Sequence, residues 1–124
     1  MAKKILMIED EQALQQILGD LLTSEGFEIA QAYDGEAGLV MAKSENPDLI
    51  LLDLRLPRKN GFEVLKELRA DENLGNTPVV VFTNLESAVD IDRALEAGAT
   101  TYIVKANYEL SDILAKIRSI LNKY

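Results

Sequence analysis

The chain has 124 residues with 21 acidic against 13 basic side chains, a formal charge of −8, and a length that suits one domain spanning residues 1–124. It contains neither cysteine nor histidine, which excludes disulfides, thiol catalysis, zinc–thiolate and histidine metal sites, and any histidine general base within the chain. The acidic balance argues against direct nucleic-acid contact, and no apolar run approaches 18 residues, so neither membrane span nor signal peptide is expected and a reducing, cytoplasmic setting is.

Short apolar runs alternate with helical patterns from end to end. Ile5-Leu6-Met7-Ile8 reads as a first strand. Leu14, Ile17, Leu18, Leu21 and Leu22 recur at helical spacing and predict an amphipathic helix that Gly26 ends. Residues 27–31 alternate apolar and polar as a second strand. Asp34-Gly35 opens a second helix with Ala37, Val40 and Met41 inward, closing before Asn46-Pro47. Leu49-Ile50-Leu51-Leu52 is a third strand, and Val64, Leu65 and Leu68 mark a third helix after Gly61. Pro78 leads into Val79-Val80-Val81-Phe82, the fourth strand. A helix through Ala88, Ile91 and Leu95 follows, with Gly98 where a C-terminal cap belongs. Tyr102-Ile103-Val104 is the fifth strand. The last helix carries Leu110, Ile113, Leu114, Ile117, Ile120 and Leu121 on one face.

Strands alternating with helices mean βαβ crossovers, hence an α/β fold: a doubly wound, five-stranded parallel sheet covered on both faces. Strands one, three and four are wholly apolar, as strands buried on both faces should be. Strand two carries Glu28 and Gln31 and strand five is short, so both belong at edges. The order 2-1-3-4-5 puts them there. It also makes a switch point between strands one and three, where ligands bind at carboxyl ends.

Strand one runs into Glu9-Asp10-Glu11 and strand three into Asp53, so two or three carboxylates meet in one crevice. Singly, Asp10 reads as a helix cap and Asp53 as a turn residue. Together they are like charges at close range, which raise pKa or recruit a cation. An oxygen-only site suits Mg²⁺. Strand four ends at Thr83 and strand five at Lys105. Alone, a threonine there is a β-former and a lysine a solvated charge. Beside the carboxylates they complete a site for a phosphoryl group, with metal and ammonium neutralising its oxygens and an aspartate as nucleophile.

These segments, in this order, resemble the response-regulator receiver domains of bacterial two-component systems, a CheY-like branch of the flavodoxin-like (βα)5 fold. The likeness rests on Ile8-Glu9-Asp10-Glu11, Asp53-Leu54-Arg55-Leu56-Pro57 with Gly61, Val80-Val81-Phe82-Thr83, and Ala97 through Lys105. By that resemblance, Asp53 is the phosphoacceptor. Asp10 and Asp53 with the Arg55 backbone carbonyl hold Mg²⁺, and Glu9 joins them, through water or directly. Thr83 and Lys105 grip the phosphoryl oxygens, and Tyr102 is the aromatic that reports the switched state. The phosphoryl donor it implies is a sensor histidine kinase or a histidine phosphotransfer protein. The output it implies runs through the face of helix four, strand five and helix five, toward a downstream protein or a second copy. Such a domain is not an enzyme beyond its own phosphorylation and dephosphorylation.

The chain departs from the family pattern at Ala106, where proline is usual after the lysine, and at Asn84, where a small residue usually follows the threonine. A cis peptide costs about 0.5–1 kcal/mol before proline and roughly 3–4 before alanine, so a trans Lys105–Ala106 bond is expected, with Asn107 able to cap the last helix. Arg55 and Leu85 hold the variable positions that tune acyl-phosphate lifetime; Leu85 offers no polar group to position water, so a long lifetime is expected. Glu86, Asp90, Arg93 and Glu96 with Asp112, Lys116 and Lys123 give the output face mixed charge, suited to a reciprocal dimer contact. Three rivals are weaker. An aspartyl-nucleophile hydrolase needs a second acid where Arg55 stands, and a flavodoxin-like carrier needs a phosphate loop where Glu9-Asp10-Glu11 stands. A receiver-shaped module that is never phosphorylated would not need Asp10, Asp53, Thr83 and Lys105 together.

Overall fold

The computed structural model describes residues 2–84 and 88–122. In chain order it comprises β1 (Lys4–Ile8), α1 (Gln12–Ser24), β2 (Glu28–Ala32), α2 (Gly35–Glu45), β3 (Leu49–Leu52), α3 (Gly61–Ala70), β4 (Val79–Thr83), α4 (Ala88–Glu96), β5 (Thr101–Val104), one 3₁₀ turn (Lys105–Asn107) and α5 (Leu110–Leu121). The strands pair in parallel in the order β2-β1-β3-β4-β5. Both the fold class and the strand order expected from the apolar runs are therefore found.

Alternation along each strand divides the interior into layers. Ile5 and Met7 of β1 join Leu14, Leu18 and Leu22 of α1 and Ile113, Ile117 and Leu121 of α5. Leu6 and Ile8 face the opposite way, onto Leu39 and Ala42 of α2 and Val64, Leu65 and Leu68 of α3. Ala94 of α4 closes that side against Leu54 and Val81. Arg69 pins the far end of the sheet, donating to the carbonyls of Gly98 and Thr77, each at 2.8 Å. Among the described residues no helix is long and apolar enough to cross a membrane.

Several local readings need correction. β2 lies one residue later than its alternation suggested. α2 turns a different face inward: Gly35, Gly38, Leu39 and Ala42 are buried, Met41 is half-buried and Val40 is 67% exposed. The physical reason is close approach, because a Cβ at Gly38 would stand 2.7 Å from the Ile8 side chain. Small residues, not the larger Val40, mark the contact line. Ile17 is likewise exposed while Gln15 takes its place inside. Leu110 and Leu95 sit at the edge of their buried faces. Glu109, not Asn107, holds the N-cap position of α5, where Asp112 Oδ2 accepts from the Glu109 N–H at 3.2 Å. The Lys105–Ala106 peptide is trans, as the alanine required.

Candidate functional site

The site begins with two parallel strand ends. Ile8 is opposite Leu52, so the residues that follow, Glu9 and Asp53, leave β1 and β3 side by side. Each is held by one more ladder bond: Glu9 N–H donates to the Ala32 carbonyl and Asp53 N–H to the Ile8 carbonyl, both at 3.0 Å. Glu9 and Asp53 are buried and Asp10 is exposed. The three offer carboxylate oxygens that all lie within 4.8 Å of one another. Glu11 stays outside that group; it is the N-cap residue of α1, and its N–H donates to Glu9 Oε2 at 3.1 Å. Asp10 caps nothing there, so the ordinary explanation for it fails. Asp53 does serve a turn, accepting at Oδ1 from the Arg55 N–H at 3.2 Å, while the Arg55 side chain is exposed.

Gly61 explains its spacing from Asp53. Its N–H donates to the Leu54 carbonyl at 2.9 Å, and a Cβ there would stand 2.4 Å from the Asp53 carbonyl oxygen and 2.5 Å from Leu54 Cα. Only glycine lets the start of α3 approach the backbone that carries Asp53 this closely.

Lys105 closes the crevice from β5. Its Nζ donates to Asp53 Oδ2 at 3.0 Å and pairs with Glu9 Oε1 as well. The Phe82 ring lies beneath it, 5.5 Å from Nζ to centroid. Burial would lower the Lys105 pKa, but its bonds to Glu9 and Asp53 outweigh this and hold it above 10.5. Glu9 resolves the other way. Burial pushes its carboxyl up to about 7, with the Asp53 charge adding to the rise, against the lowering influence of Lys105 and the Glu11 N–H.

Thr83 is buried at the end of β4, opposite Val104 and so beside Lys105. Tyr102 lies outward at 36% exposure; Lys116 Nζ donates to its carbonyl at 3.1 Å and stands 5.9 Å from its ring centroid. Arg93 stacks over Phe62 at 3.9 Å, tying α4 to α3. Leu85, Glu86 and Lys123 lie outside the described residues. A separate open groove between α1 and β2, lined by Gln12, Gln16, Asp20, Thr23 and Tyr33, gathers no second cluster of carboxylates among the described residues. One residue the sequence reading passed over is Gln15, a polar side chain inside the apolar stripe of α1 whose amide reaches the backbone of Glu9. Its position between Leu14 and Leu18 was the available signal.

Comparison with known proteins agrees with this geometry. The chain is 39% identical over 119 residues to the response regulator ArlR of Staphylococcus haemolyticus, covering 96% of this chain and 52% of that protein. It thus spans about half the length of the curated relatives it matches. Among solved structures, a CheY-like receiver domain protein of Methanospirillum hungatei superposes with a TM-score of 0.92 at 28% identity, covering 99% of this chain and 96% of that one. The Mn²⁺-bound form of the response regulator Rcp1 superposes with a TM-score of 0.80 at 32% identity, covering 95% and 91%. With the response regulator receiver domain profile matching residues 5–118, the chain belongs to that family.

Proposed function

We propose that this domain is a phosphoacceptor switch whose acceptor is Asp53 and whose donor is the phosphohistidine of a sensor histidine kinase or a histidine phosphotransfer protein. The observation that carries the reading is the placement of one half-buried ammonium, Lys105, against the buried carboxylates of Glu9 and Asp53. A carboxylate oxygen of Asp53 forms the new bond to phosphorus as the phosphorus–nitrogen bond of the donor breaks. The electron pair leaves with the imidazole. The crevice supplies position and charge rather than covalent help.

Glu9, Asp10 and Asp53 fit a hard divalent cation, because three carboxylates lie within reach of one point in an all-oxygen setting. Mg²⁺ would be held by Asp10, Asp53 and the Arg55 backbone carbonyl, with Glu9 contributing directly or through water. When bound it supplies charge neutralisation for the transferring oxygens. That the response regulator Rcp1 binds Mn²⁺ supports a divalent cation as the ligand class. Lys105 exchanges its Asp53 partner for a phosphoryl oxygen, and the Thr83 hydroxyl donates to another.

Thr83 drawn toward the phosphoryl group leaves room behind it, and Tyr102 turns inward from its exposed position. The face of α4, β5 and α5 changes with it, for a downstream protein or a second copy to read. The shift is between two states a few kcal/mol apart. Chemistry is confined to the domain's own phosphorylation and dephosphorylation, and the proposed setting is the cytoplasm.

Intact mass after incubation with acetyl phosphate tests this. One labile phosphate is expected in Mg²⁺, and none in EDTA or in Asp53→Asn. Labelling that survives either change overturns the reading.

A further inference from the structure

Gln15 lies on α1 with 1% of its surface exposed. Its Nε2 stands 3.1 Å from the Met7 carbonyl, 3.1 Å from the Glu9 carbonyl and 2.9 Å from the Ala32 carbonyl. Three acceptors around one atom identify it as the nitrogen, since Oε1 in that place would face three oxygens. Two amide hydrogens are shared among three carbonyls. On the other side of the amide, Oε1 is buried with no hydrogen-bond partner. A buried acceptor without a partner is costly, and a methionine of similar length would avoid the cost.

What the amide does is local to the carboxylates. Successive residues of a strand point to opposite faces, yet Glu9 and Asp10 both bring an oxygen within 4.8 Å of Asp53. The chain must therefore leave strand geometry at the Glu9–Asp10 peptide. The carbonyl of that peptide is the Glu9 carbonyl that Gln15 holds. The clamp is double, because the Ala32 carbonyl accepts from both Gln15 Nε2 and the Glu9 N–H. Gln31 Nε2 in turn donates to the Gln15 carbonyl at 3.0 Å, which ties α1 to β2 beside the clamp.

We propose that Gln15 is a positioning residue for the carboxylate cluster, fixing the Glu9–Asp10 peptide so that both acids converge on Asp53. The inference rests on the reading of the cluster as an Mg²⁺ site. Loss of supporting partners behind metal ligands commonly weakens affinity about 10–100-fold. Calorimetric titration of the metal-free protein with Mg²⁺ should show Gln15→Met binding about tenfold more weakly than wild type. Leu22→Ala, a buried α1 substitution away from the clamp, should lower Tm yet keep the Kd within twofold. A second measurement uses the wild-type protein alone. The Gln15 side-chain amide resonances should shift during Mg²⁺ titration, with the same midpoint as the calorimetry. A Gln15→Met Kd within twofold of wild type, or wild-type amide resonances that stay still while Mg²⁺ binds, would overturn this inference and leave the switch intact. Failure of wild type to bind Mg²⁺ would remove both.

Discussion

The Lys105 ammonium donates to Asp53 Oδ2 at 3.0 Å and pairs with Glu9 on its other side, joining positions 52 and 96 residues apart. Lys105→Met strands two buried carboxylates. Breaking a buried pair costs roughly 3–5 kcal/mol, reduced here wherever Glu9 takes up a proton. Urea unfolding of the metal-free variant should therefore show a larger loss at pH 8 than at pH 6. Labelling by acetyl phosphate should slow about 10²-fold, the scale for removing one charge-stabilising donor. An equal stability loss at both pH values would count against the pairing.

Glu9 carries a pH dependence whose sign follows from its raised carboxyl. Its contribution to stability is fully present below the unfolded value of 4.5 and is lost as pH rises to about 7, because across that range folding must return a proton to an acid the unfolded chain has already ionised. Lys105 stays charged throughout that window. The displacement caps the effect at about 3 kcal/mol, less what solvent at the crevice mouth screens. Metal-free Tm should fall between about pH 4.5 and 7 and level off above that, and Glu9→Gln should flatten the fall. Mg²⁺ affinity should gain up to tenfold per pH unit below 7 and level off above it, because ligands bind deprotonated.

Gly61→Ala places a methyl group against backbone that cannot give way, 2.4 Å from the Asp53 carbonyl oxygen. Overpacking of this kind costs about 1–3 kcal/mol. Denaturant midpoints should drop accordingly, and phosphorylation should slow beyond what the lost stability explains because Asp53 itself is displaced. Unchanged labelling kinetics in a destabilised variant would refute the second half.

Thr83 and Tyr102 should move together. With Mg²⁺ and beryllofluoride as the phosphoryl mimic, Tyr102 exposure should fall from its present 36%, read by fluorine NMR of fluorotyrosine assigned with Tyr102→Phe. Thr83→Ala should keep the mimic bound but hold Tyr102 outward. A Tyr102 signal that shifts equally in Thr83→Ala would separate the two residues.

Strand order and the crevice were legible because they depend on strands alone. A run such as Val79-Val80-Val81-Phe82 has no polar residue to offer solvent, and the first polar residue after a parallel strand falls at its carboxyl end. Glu9, Asp53 and Lys105 follow their strands directly, and Thr83 is the last residue of β4. Helix faces were less legible. Periodicity ranks side chains by hydrophobicity, whereas α2 chose its buried line by size, admitting Gly38 and Ala42 and turning Val40 out. Gln15 was hidden for a related reason: its partners are backbone carbonyls, which every sequence possesses and none advertises. The exclusion of Glu11 from the cluster depended on where α1 begins, a matter of one residue.

β5 has four residues and pairs with β4 alone, and Lys105 follows it directly. During synthesis the lysine is the last of the site residues to leave the ribosome, long after every carboxylate it must serve. A half-finished chain, or a mature one whose C-terminal edge has opened, keeps three mutually repelling acids without the ammonium that pairs with two of them. Under the proposed function, full speed of phosphoryl transfer therefore doubles as an inspection stamp, granted once the outermost strand has docked.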